Sequence, residues 1–105
     1  MWSVEYLLAA AEERDELPAD MRARLARMTD VIGEHGLENL PRDWVKSLGD
    51  KLWELRVTGR DGNARAIYVT VTGRRVVIVR IFIKKTQKTP QRELELARQR
   101  AKEIG

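Results

Sequence analysis

The stretch Leu52-Trp53-Glu54-Leu55-Arg56-Val57-Thr58 marks a change of period in the chain. From here on, residues 52–58, 64–72 and 75–83 are rich in Val, Ile, Tyr, Trp and Thr, and Gly59, Gly62 and Gly73 stand at the joins. That pattern predicts three strands linked by hairpins. The join at Gly73-Arg74 is short enough for a two-residue turn in which glycine supplies the positive backbone angle. Towards the C-terminus, Thr89-Pro90 reads as a helix start: the threonine hydroxyl can accept from first-turn amides and proline suits the first helical position. Leu94, Ala97, Ala101 and Ile104 then form the inner stripe.

Towards the N-terminus, residues 37–51 look irregular, punctuated by Pro41 and Gly49, with a short helical turn possible over 43–48. Before them Met21, Leu25, Met28 and Ile32 recur at helical spacing, and Gly36 is placed to end that helix. Pro18 separates it from an earlier Ala- and Glu-rich helix. Trp2, Val4 and Tyr6 alternate with Ser3 and Glu5 as in a short strand. The expected architecture is α+β: a small antiparallel sheet, made of a three-stranded meander plus a short N-terminal strand, with two N-terminal helices and a C-terminal helix against one face.

At 105 residues, with 43% hydrophobic and 34% charged side chains, the chain fits a single domain over 1–105. The absence of cysteine removes disulfide scaffolds, thiol nucleophiles and Cys-ligated zinc, and one histidine, His35, removes a His-rich metal site. No cofactor is expected. No apolar run approaches the roughly 20 residues that cross a bilayer, and Met1-Trp2-Ser3-Val4-Glu5 lacks the basic start of a secretory signal. A cytoplasmic protein with no membrane partner is expected. Charge is segregated: residues 1–55 carry 7 basic and 12 acidic side chains, net −5, whereas 56–105 carry 13 basic and 4 acidic, net +9. Between Arg56 and Arg92 ten bases meet only Asp61. A surface so lopsided suits a phosphate backbone.

Strand parity assigns faces. Val77, Val79, Ile81 and Ile83 share one side and read as core, leaving Val76, Ile78, Arg80, Phe82 and Lys84 on a more open side. Trp53, Leu55 and Val57 divide likewise from Leu52, Glu54, Arg56 and Thr58, so Arg56 and Arg80 are expected on one open face. Arg65 has the parity of Ile67, Val69 and Val71, and reaches the rim only from the strand's start or through a bulge. The run Lys84-Lys85-Thr86-Gln87-Lys88 brings cations beside the open face. Tyr68 reads either as an ordinary strand residue or as a platform on which a base stacks. Trp44 and Trp53 read as core or helix contacts.

Three segments together carry a family resemblance: Leu52-Trp53-Glu54-Leu55-Arg56; Ala64-Arg65-Ala66-Ile67-Tyr68; and Phe82-Ile83-Lys84-Lys85-Thr86-Gln87-Lys88-Thr89-Pro90, followed by Glu93, Leu96 and Ala97. In this order they resemble the HigB-type, phage-derived branch of the RelE/ParE toxin superfamily, sharply over residues 40–100. The resemblance implies the toxin of a bacterial type II toxin-antitoxin pair. Such a toxin is a small metal-independent endoribonuclease that cuts mRNA, often on the ribosome, and is neutralised by a helix-turn-helix antitoxin through which alone it meets operator DNA. It further implies that Arg56, Arg65 and Lys84 or Lys85 hold the scissile phosphate on an RNA-facing concave side of the sheet, where parity places Arg56 and Arg80; Arg80, Lys88, Arg92 and Tyr68 are the RNA-binding positions expected around it. A metal-free cut uses the substrate's own 2′-OH, so the protein aligns it and stabilises the phosphorane.

The sequence departs from relatives that carry a Tyr or His acid or base near the last strand or final helix, where Thr86, Gln87, Thr89 and Pro90 stand here. Glu54 has the parity to serve as a base, or to pair structurally with Arg56 or Arg80. His35, at a helix end in the acidic half, suits an exposed or capping role. Two other classes remain open: a superfamily member that inhibits a protein target such as DNA gyrase without cutting RNA, and a basic nucleic-acid-binding module.

Overall fold

The computed structural model describes residues 1–85 and 87–104. Its elements run β1 (Ser3–Tyr6), α1 (Leu8–Asp15), α2 (Ala19–His35), two 3₁₀ turns (Leu37–Asn39 and Arg42–Trp44), β2 (Val45–Gly49), β3 (Leu52–Gly59), β4 (Gly62–Val71), β5 (Arg75–Lys84) and α3 (Gln91–Ala101). The class is α+β, as expected, but the sheet has five strands in the order β1-β5-β4-β3-β2. The meander β3-β4-β5 is antiparallel, and β1 joins its edge parallel to β5.

The added strand, β2, lies within the stretch expected to be irregular. It pairs antiparallel with β3 through Gly49↔Leu52, so Asp50-Lys51 make a two-residue turn. Their φ values of 52° and 67° are both left-handed, as this hairpin twist requires. The Thr72-Gly73-Arg74 loop is one residue longer than expected, since Val71 pairs with Arg75, and Arg74 joins Gly73 in the left-handed region. Gly59 has a steric role: a Cβ there would sit 2.7 Å from Met21, where the start of α2 meets the β3–β4 turn. Asp20 fixes the same junction by accepting from the Arg60 amide at 2.6 Å.

Both faces of the sheet are covered, which corrects the one-sided packing expected from the sequence. On one face, Leu25, Met28 and Ile32 of α2 meet Leu55, Val57, Ala66, Tyr68, Val76, Ile78 and Ile81. Each fully buried Val, Leu, Ile or Met side chain here contributes roughly 1.5–3 kcal/mol. On the other, Leu94, Ala97 and Ala101 of α3 meet Leu52, Ile67, Val69, Val77, Val79 and Phe82. The parity assignment in β5 also fails, for a local reason. Ile67 pairs with Arg80 but Tyr68 pairs with Ile78, so Val79 is an extra residue in a bulge. Beyond it the alternation inverts, sending Ile81 to the α2 side and Phe82 to the α3 side.

Trp53 is 39% exposed rather than core, while Trp44 packs partly against the α2-side cluster. No helix among the described residues is long and apolar enough to cross a membrane.

Candidate functional site

Helix α3 covers only part of its face. Towards the Arg56 end of β3 the same face carries polar side chains in three cross-strand rows: Lys46, Glu54 and Ile67; Arg56, Arg65 and Phe82; Thr58, Asn63 and Lys84. The sheet register itself therefore brings Arg56, Arg65 and Lys84 onto one surface from three strands. Arg65 needs no bulge to get there, because its parity is that of Glu54 and Arg56.

Glu54 lies at the centre of this cluster and is fully buried. The Thr89 hydroxyl donates to its Oε1 at 2.9 Å. Its Oε2 lies 3.4 Å from Arg65 Nε and 3.9 Å from Arg56 Nε, too long or too oblique for hydrogen bonds, so all three atoms are buried without such a partner. Thr89 is thus not the cap of α3. Pro90 holds the cap position with no side-chain bond, and the Thr89 hydroxyl is committed to Glu54. Glu54 pairs with Arg65 and Arg56, and not with Arg80.

The side chain of Arg65 is 11% exposed and that of Arg56 37%. Arg65 donates Nη1 to the Ala64 carbonyl at 3.1 Å. Burial lowers its pKa, and Arg56 adds to that, against the raising influence of Glu54. Lys84 is likewise held below the ordinary lysine value, first by partial burial and then by the charges of Arg65, Lys46 and Arg56, which Glu54 offsets in part. Lys85 is exposed beside it. Asn63, Arg65, Lys84, Lys85 and Gln87 line a hollow of about 260 Å³. Such a group of cations is suited to a phosphate.

Two of the RNA-binding positions expected from the sequence fail. Arg80 lies on this face but is consumed by a network: it forms a two-pronged pair with Glu93 of α3 (2.7 and 3.2 Å) and a short bond to Glu13 of α1. Glu13 also accepts from Arg100 (2.9 Å) and the Ile81 amide (3.0 Å). Burial favours a raised pKa for Glu13, but these donors outweigh it and hold the carboxyl below the usual range. Arg80 therefore ties both helices to the bulge and is not a free RNA contact. Tyr68 is 1% exposed on the α2 side, with burial raising its phenol to about 12, so it has no face to offer a base.

Lys88 and Arg92 are exposed where the chain enters α3, and neither lines the phosphate hollow. Thr86 lies outside the described residues. His35 is exposed in the last turn of α2, 3.7 Å from Glu34. Sequence reasoning missed Lys46, because its strand went unseen, and Thr89 as the partner of Glu54. Thr89 carried no signal, since a threonine before proline reads first as a cap.

A family model described as Phage derived protein Gp49-like (DUF891) matches residues 12–102. Among solved structures, a chain of the intact E. coli RelBE toxin-antitoxin complex superposes with a TM-score of 0.59 at 15% identity, covering 82% of this chain and 100% of that one. The RelB-RelE complex from Methanococcus jannaschii gives 0.61 at 17% identity, covering 75% and 88%. A mutant of E. coli RelE in the free state gives 0.60 at 15%, covering 99% and 98%. Comparison with curated protein sequences gave no match. At such identities the structural likeness speaks for the fold, and the family model speaks for descent: the chain belongs to the Gp49-like family of phage-derived proteins, built on the RelE fold.

Proposed function

We propose that this chain is the toxin of a type II toxin-antitoxin pair and acts as an endoribonuclease of the HigB type. It cuts mRNA on the ribosome and is neutralised by a helix-turn-helix antitoxin. The observation that carries the reading is the convergence of Arg56, Arg65 and Lys84 from three adjacent strands around a sealed carboxylate. The RelE fold and the toxin-antitoxin complexes in which it occurs support the partner class.

In this mechanism the substrate's 2′-OH gives its proton to solvent and attacks the adjacent phosphorus, and the P–O5′ bond breaks to leave a 2′,3′-cyclic phosphate and a 5′-hydroxyl. Arg65 and Arg56 turn their Nε edges towards Glu54; with Nη1 of Arg65 donating to the Ala64 carbonyl, this leaves Nη2 of Arg65 and the terminal nitrogens of Arg56 for the phosphate oxygens. Charge on those oxygens grows in the phosphorane, so fixed cations in a partly dry hollow stabilise the transition state more than the ground state. Lys84, with its lowered pKa, is the better placed proton donor for the departing oxygen. Lys85 adds charge at the mouth. Glu54 is sealed from solvent and does not touch RNA; it is a positioning residue, and the base role open to it from sequence is set aside.

The test is expression of the chain alone in a bacterial host. Growth arrest with transcripts cut at discrete sites is expected. Arrest with intact transcripts refutes the ribonuclease and points to a protein target.

A further inference from the structure

A second hollow adjoins the first at the edge of the sheet. β2 pairs with β3 only as far as Val45↔Leu55, so among the described residues β3 runs on from Arg56 to Thr58 with no paired strand on that side. The space beside it, about 340 Å³, is lined by Arg24 of α2, by Asp43 and Trp44 of the turn before β2, and by Arg56 and Thr58. It shares Asn63 and Arg65 with the phosphate hollow. The two are halves of one trough with Arg65 at the middle.

The chemistry of the second half differs. Arg24 lies over the Trp44 ring, 5.3 Å from its centroid, and makes no hydrogen bond or ion pair among the described residues; its Nε is buried without an acceptor. Asp43, exposed in the same hollow, also makes no ion pair among the described residues. A guanidinium over an indole brings together two groups on which unpaired RNA bases stack, aromatic rings and arginine planes. Asp43 argues against a second phosphate here, since a carboxylate repels one. It accepts instead, as a base edge carrying N–H groups requires. Guanine alone among the four bases combines N1–H and amino donors with the O6 and N7 acceptors that arginine favours.

We propose that this hollow is a nucleobase subsite, selective for guanine, beside the phosphate held at Arg65. The proposal rests on the ribonuclease reading for its neighbouring phosphate, but its test does not require cleavage.

The probes are dye-labelled, 2′-O-methylated hexanucleotides, which cannot be cut: one all-uridine and one with a single central guanosine, titrated into the full chain by fluorescence anisotropy. The guanosine probe is expected to bind about tenfold more tightly, as one well-made base contact allows. Asp43→Asn and Arg24→Gln, each verified as folded by circular dichroism, are expected to bring that ratio close to one. A ratio near one in the parent, or one that survives both substitutions, overturns the subsite. Unmodified RNA then separates the two readings. Cutting without base preference leaves the ribonuclease standing and the subsite refuted, whereas base-selective binding without cutting does the reverse.

Discussion

Replacing Glu54 with Gln removes a charge and keeps the shape, so it isolates what the carboxylate does. The Thr89 hydroxyl can still donate to the amide oxygen, as it now does to Oε1 at 2.9 Å. What is lost is the attraction to Arg65 at 3.4 Å and Arg56 at 3.9 Å. At an effective dielectric constant of about 20, the nearer pair alone is worth roughly 5 kcal/mol before desolvation. Burying the carboxylate offsets much of that, and Arg56 is exposed enough to be hydrated. Removing one partner of a fully buried pair costs about 3–5 kcal/mol, so with one guanidinium only mostly buried a net loss of about 2–3 kcal/mol is expected.

Urea denaturation of parent and E54Q measures this directly. RNA assays should then split: binding is unchanged or tighter, because a negative charge has left the protein interior beside the phosphate hollow, while cleavage slows as Arg65 and Arg56 lose their anchor. Equal stability together with equal cleavage would refute the positioning role. Tighter binding with undiminished cleavage would show that Glu54 only dilutes the positive charge.

Lys85→Ala should relieve growth arrest with stability within about 0.5 kcal/mol of the parent, since the side chain is exposed. Arg65→Ala should relieve it too, but with a melting temperature lowered by the stranded Glu54, so Lys85 is the cleaner probe and thermal melts of the two variants should differ. Arg80→Ala leaves Glu13 and Glu93 without their shared partner and should cost about 3 kcal/mol in denaturation, with RNA affinity per folded molecule retained. Lys84 is held below the ordinary lysine pKa, so its charge is lost earlier as pH rises. RNA affinity should therefore fall below the pH at which a free lysine titrates, and Lys84→Arg should abolish that fall.

The meander and the α2 stripe were legible because β-branched runs between glycines, and apolar residues every three or four positions, have few other solutions. β2 was not: its turn uses Asp50-Lys51 where a hairpin signal is an Asn-Gly or Gly-Gly, and its five residues contain only two large apolar side chains, Val45 and Leu48. The faces of β5 were misassigned because a bulge at Val79 leaves no mark in composition. The site was half legible. Parity in β3 placed Glu54 and Arg56 together correctly, and the pairing of Arg56 with Arg65 followed once the register was known. Arg80 looked equivalent in sequence, and what distinguishes it is Glu13, 67 residues away, which no local pattern connects to it.

The contrast between Arg80 and Arg65 explains how a strongly basic half-chain keeps a selective binding surface. Arg75 is matched by Glu5, and Arg80 by Glu13 and Glu93, each with charge-assisted hydrogen bonds. The pairs with Glu5 and Glu13 draw acidic side chains of β1 and α1 from the net-negative half onto β5, so they neutralise charge while they tie the N-terminal elements to the sheet. Around Glu54 the opposite holds: the carboxylate is offered to two guanidiniums and hydrogen-bonded by neither, and the neighbouring lysine is already pushed towards its neutral form. Crowded cations with an incomplete counter-charge are costly in the free protein, and an arriving phosphate relieves that cost where it would gain nothing at Arg80. The basic charge of the meander thus becomes a site where it is left unmatched, and that choice is made by the placement of Glu5, Glu13 and Glu93, which satisfy their arginines, against Glu54, which is shared between two.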